Sequence, residues 1–147
     1  MRTIKALSLL LCLCSAPAWA ALGEPIASVE TDRRALDGQI RSSALQGYTV
    51  HEITRPDGAI VKEFASPAGI VFAVTWQGPS MPNLSQLLGK YFTPFQQAAR
   101  ANVRRRGPVV VHSGTLVVES SGHMRGFHGR AYITNHMPES VSKEVVK

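Results

Sequence analysis

The chain has 147 residues, 44% of them hydrophobic and 18% charged, with a formal net charge of +6 and only 2 cysteines. Both cysteines, Cys12 and Cys14, fall in an N-terminal segment expected to be removed, which excludes disulfides, thiol chemistry and cysteine metal ligands from the rest. What remains is of single-domain length and folds on its apolar core alone.

Residues 1–20 read as a secretory signal peptide. Arg2 and Lys5 make a positive start, Ala6–Cys14 an apolar run, and "AWA" (Ala18–Ala20) a small-residue end, so cleavage is expected between Ala20 and Ala21. The run is too short to span a membrane, which takes about 20 apolar residues. Leucines precede both cysteines, where a lipoprotein signal needs glycine or alanine. No later stretch reaches spanning length, so the expectation is a soluble periplasmic or secreted product with no transmembrane anchor. After Arg2 and Lys5 are gone, residues 21–99 carry 6 basic and 7 acidic groups, and residues 100–147 carry 8 and 3. The basic end suits anionic polymers or lipid head groups, whereas an exported protein is not expected to meet nucleic acid.

In chain order, Ser28 is placed to cap a short helix over "VETDRRALDG", with Glu30 and Asp32 in its first turn and Gly38 as its stop. "RSSALQG" reads as a loop. "YTVHEIT" (48–54), "AIVKEFA" (59–65) and "IVFAVTW" (70–76) read as strands joined by the turns "RPDG" and "SPAG", hence an antiparallel meander. The third is apolar on both faces and belongs at the centre. Asn83 caps a helix with an apolar stripe at Leu84, Leu87, Leu88, Tyr91 and Phe95, and Pro94 predicts a kink or restart near Thr93. After Gly107-Pro108, a hairpin is expected from Val109–Ser120 and Phe127–Thr134. The resulting fold class is α+β: a five-stranded antiparallel sheet with a long kinked helix on one face and a short N-terminal helix. One domain spans 21–137, and 138–147 reads as a loose tail.

Chemistry is harder to find. His51, His112, His123, His128 and His136 form no recognised ligand pattern, so no metal or cofactor is expected. "HSG" (112–114) and "SSGH" (120–123) hold hydrolase parts without a G-x-S-x-G elbow. No catalytic residue is assigned. Arg100, Arg104, Arg105 and Arg106 stand at a helix C-terminus, where the dipole favours cations, and are also the candidate polyanion contacts. "WQGPSMP" ends the third strand. It serves as a structural corner, or, through Trp76 and Gln77 with Tyr91 and Phe92, as the lining of a groove.

From "YTVHEITRPDG" through "VFAVTWQGP" to "PNLSQLLGKYF" the chain resembles the exported proteobacterial family catalogued as domain of unknown function 2844. The resemblance covers most of the chain and implies export and one domain, with no activity attached. The reading is a non-enzymatic periplasmic or secreted binding module for an envelope protein, peptide or anionic polymer. The alternative is a periplasmic hydrolase with a His/Ser/Glu site.

Overall fold

Residues 22–101 and 107–147 are described by the computed structural model of the chain. The expected cleavage site at Ala20 and Ala21 and the arginines 104–106 lie outside the described residues. The elements run α1 (Ser28–Ala35), β1 (Gln39–Leu45), β2 (Tyr48–Thr54), β3 (Ile60–Ala65), β4 (Val71–Gly78), α2 (Leu84–Leu88), α3 (Phe92–Ala101), β5 (Val109–Ser113), β6 (Leu116–His123) and β7 (Gly126–Ile133). The strands pair antiparallel throughout in the order β1-β2-β3-β4-β7-β6-β5.

The five-stranded expectation is therefore corrected to seven strands. The extra edge strand β1 occupies the stretch read as a loop. All seven of its residues are exposed, so no burial pattern marks it, and only its register with β2, closed by Leu45↔Tyr48, makes it a strand. At the opposite edge, the tight turn between Ser113↔Leu116 splits one expected strand into β5 and β6. The helical run also differs in detail. Asn83 does cap α2, accepting from the Ser85 amide at 3.1 Å, but the break is a 3-10 turn at Gly89–Tyr91, upstream of Thr93. Pro94 sits in the first turn of α3, where its missing N–H is harmless, so the interruption falls one turn before the proline. Ser28 is the first residue of α1, not its cap, and its hydroxyl is buried.

The sheet is covered on both faces. Under the helices lie Ile53, Val61, Val74, Trp76, Val118, Ala131 and Ile133, packed against Val29, Leu36, Leu87, Leu88 and Phe95. On the opposite face, Phe64, Phe72, Ala73, Val117 and Tyr132 pack with Tyr48, Val50, Met137, Val141, Val145 and Val146. The stretch 138–147, read as a loose tail, thus supplies buried residues: Val141 is 7% exposed and Val146 0%. Phe72 belongs to this tail-covered cluster and Trp76 to the helix-covered one. Strict alternation would place both on one face. The β3–β4 register shifts between Phe64↔Ala73 and Ala65↔Val71, and that bulge turns Phe72 over.

Trp76 is 2% exposed and pairs across the sheet with Gly129 of β7. A Cβ at Gly129 would stand 2.5 Å from Trp76 Cε2 and 2.6 Å from the Glu119 carbonyl oxygen, so the indole lies where any side chain would be. The "WQGPSMP" corner has its own fixings. Gly78, at φ +152°, brings its backbone against Ala59, and a Cβ there would meet the Ala59 Cα at 2.5 Å. Arg55 donates to the Ser80 hydroxyl at 2.8 Å, and Ser80 donates to Asp57 in the "RPDG" turn. The corner is architecture first.

Replacing Gly129 by alanine is expected to destabilise the protein by about 1–3 kcal/mol, the usual effect of overpacking. Trp76→Ala is expected to lower stability by about 3–5 kcal/mol through the cavity it leaves. Urea unfolding followed by far-ultraviolet circular dichroism checks both, and unchanged midpoints would contradict this packing.

Candidate functional site

The tail covers only part of its face. Beyond Phe64, Ala73, Tyr132 and Val117 the cover thins, and the register lays the outward side chains in two further rows, the nearer still holding a buried Thr75. One row is Lys62–Thr75–Arg130–Glu119–Val110, crossing β3, β4, β7, β6 and β5. The other, two residues along each strand, is Ile60–Gln77–His128–Ser121. All nine line a groove of about 480 Å³, walled at one end by Val146 and Lys147 and at the β5 edge by Pro108.

The first row is internally satisfied. Arg130 gives a two-pronged bond to Glu119 at 2.9 and 3.0 Å, and its remaining nitrogen reaches the carbonyls of Lys143 and Val146 at 3.3 Å. Its guanidinium lies 5.8 Å from the Tyr132 ring centre, so one side chain fixes both the tail and the groove wall. Lys62 stands 3.9 Å from Glu52, a partly exposed pair of little energetic weight. The second row differs: Gln77, His128 and Ser121 make no side-chain hydrogen bond among the described residues. Their polar groups face the groove without an internal task.

A second polar constellation lies on the helix-covered face of the sheet, with Ser42 at its exposed edge. Ser42, His51 and Glu63 are register neighbours on β1, β2 and β3. Ser42 Oγ and His51 Nδ1 are 2.7 Å apart. Asp32 of α1 and Glu63 are both 0% exposed, and Gln86 of α2 donates to Asp32 Oδ1 at 2.7 Å. Burial, then the nearby Asp32 charge, holds the Glu63 carboxyl well above its ordinary range, which favours its neutral form. Burial also raises Asp32 and depresses His51. These are triad residue types without triad chemistry: the acid is protonated, His51 Nε2 has no partner among the described residues, and none of Ser42, His51 and Glu63 lines the groove.

The family model described as "Protein of unknown function (DUF2844)" matches residues 18–146. The chain belongs to that family. No curated protein and no solved structure matches it.

In this DUF2844 chain the residues singled out in the sequence do not converge. Trp76, Tyr91 and Phe92 all belong to the helix-side core, with Tyr91 packed close to Gly23 and Ile133, and Phe92 6.3 Å from Phe95 ring to ring. Gln77 is exposed on the opposite face, in the groove. Arg100 is exposed in the last turn of α3. No group of three or more His, Cys, Asp or Glu side chains among the described residues is arranged to hold a metal. Lys62, Thr75, Ser121 and His128 escaped the sequence reading as a set. Each is a polar residue at an alternate strand position, but their meeting depends on β7 pairing with β4, which nothing local encodes.

The buried carboxyl pair sets a pH dependence. The folded chain keeps a proton on Glu63 that the unfolded chain loses above about pH 4.5, its ordinary value. This group's contribution is therefore full below that pH and is lost as pH rises through the folded value, at roughly 1.4 kcal/mol per unit of displacement. Asp32 is displaced in the same sense. Glu63→Gln keeps a neutral donor toward Asp32, so the variant is expected to gain stability over the parent as pH rises from 5 to 9. Parallel urea-unfolding profiles for the two proteins would contradict a buried neutral Glu63.

Proposed function

We propose that this family member is an exported, non-enzymatic binding module that presents the groove to a component of the cell envelope. The observation that carries this reading is the row Gln77–His128–Ser121, three polar side chains from three strands with no hydrogen-bond partner among the described residues. Binding residues gather on surfaces held by a rigid scaffold, and here the scaffold is the ladder beneath, fixed by Trp76 on Gly129 and by Arg130. Among the described residues no helix is long and apolar enough to cross a membrane. The reading of residues 1–20 as a signal peptide supports export.

The test is capture from an envelope extract with a tagged chain beginning at Ala21, alongside Ser121→Trp, which fills the groove. Retention of one component by the parent and its loss with the variant is the expected result. Equal retention by both would refute the groove as the site.

The hydrolase alternative rests on the Ser42–His51 hydrogen bond at 2.7 Å. A neutral Glu63 and an unengaged His51 Nε2 leave that serine without an activated base. Ser42 is accordingly expected to stay unlabelled by a fluorophosphonate probe over hours, read by intact mass. Stoichiometric labelling abolished by His51→Ala would reinstate the enzyme reading.

A further inference from the structure

We propose that the groove takes a neutral glycan chain, lying across the strands with its hydroxyls on Gln77, His128 and Ser121; this rests on the groove being the binding site. Three observations converge. First, the guanidinium at the centre of the site is already committed, and the ammonium of Lys147 stands only at the groove's end. Arg130 spends every guanidinium nitrogen on Glu119 and on the Lys143 and Val146 carbonyls, and Lys62 has Glu52 beside it. An anionic ligand would find no unengaged guanidinium and would meet the Glu119 carboxylate.

Second, the groove runs over the face of the sheet and not along an edge. The backbones of β4, β7 and, as far as Ser120, β6 are paired in the ladder on both sides. An extended peptide gains affinity chiefly by adding main-chain bonds at an open edge, and the floor of the groove at Gln77 and His128 offers none among the described residues. A ligand for this face is read by side chains alone.

Third, the available side chains are an amide, an imidazole and a hydroxyl. Each of them both donates and accepts, which is what a hydroxyl group requires of its partner. They sit on adjacent strands and so recur about every 4.7–4.9 Å along a line crossing the sheet. A β-linked hexose chain offers hydroxyls at a comparable repeat, in a straight and open-ended form that suits a groove crossing five strands. Ile60 at one end of the row and Val110 and Pro108 toward the other give apolar contact for the ring faces.

The experiment is titration calorimetry on the chain beginning at Ala21 with three probes: chitohexaose, a heparin hexasaccharide and an unstructured neutral hexapeptide. Gln77→Ala and His128→Ala are measured beside the parent. Both positions are exposed, so thermal unfolding should be unchanged. Chitohexaose is expected to bind with an affinity insensitive to salt between 50 and 500 mM (chosen on the order of strong screening) and to weaken about threefold to tenfold in each variant. Chitohexaose binding that both variants leave intact would overturn the assignment. So would absence of chitohexaose binding. If heparin or the peptide instead binds and weakens in the variants, the glycan inference falls while the groove remains the binding site. If none of the three binds, the glycan inference falls and the capture experiment with Ser121→Trp decides the groove on its own.

Discussion

Strand β4 is buried along Val71–Trp76 on both of its faces, and that is the constraint around which the molecule is arranged. An apolar strand of this kind cannot tolerate a solvated side, so each face needs its own cover. The helical run from Leu84 to Ala101, with α1, covers one. The other is left to an irregular tail, which spans only the half of the sheet bearing Phe64, Phe72 and Tyr132. The remaining half carries mostly polar side chains and forms the groove. Groove and fold thus have one origin: a sheet with two faces, of which residues 137–146 cover only part of the second.

Two devices hold this arrangement together, and they differ in kind. Gly129 lets the Trp76 indole lie flat on β7, where steric fit alone sets the position. Arg130, the next residue, faces the other way and holds the tail by hydrogen bonds to two carbonyls. Neighbouring residues of one strand therefore secure opposite layers. The buried Asp32 and Glu63 serve a third role: Gln86 ties α2 to α1 through Asp32, and the raised Glu63 carboxyl of β3 lies beside that contact. Unlike a surface ion pair, such a contact is disfavoured when the Glu63 proton leaves. Its burial beneath the helices, away from the groove, marks it as a structural contact.

The physical reasons for what the sequence disclosed are uneven. Strands with β-branched alternation and strong turn signals, such as "RPDG" and "SPAG", announce themselves, because local chemistry and burial agree there. β1 carries neither signal; an edge strand exposed along its length is specified by its partner and not by itself. The bulge at Phe72 could not be read either, since one extra residue reverses a face without altering composition. Trp76 was legible as a buried strand-end residue, but the groove was not. Gln77 was singled out for its place in "WQGP", while its register neighbours His128 and Ser121 lie about fifty and forty-five residues further on, on the order of separation that makes pairing a non-local property. Asp32 looked like a helix-dipole residue and proved to be a buried acid, because only the packed structure brings it to Glu63.

The claim that the tail closes one half of the second face and leaves the other open is tested most directly by thiol accessibility. A chain beginning at Ala21 has no cysteine, so single His128→Cys, Val117→Cys and Val118→Cys variants report one position each. His128 lies in the groove, Val117 under the tail and Val118 under the helices. The account predicts rapid labelling at His128→Cys and protection at the other two. Deleting residues 138–147 should expose Val117→Cys while leaving Val118→Cys protected. Equal reactivity of His128→Cys and Val117→Cys in the undeleted chain beginning at Ala21, or loss of protection at both valine positions together on deletion, would contradict it.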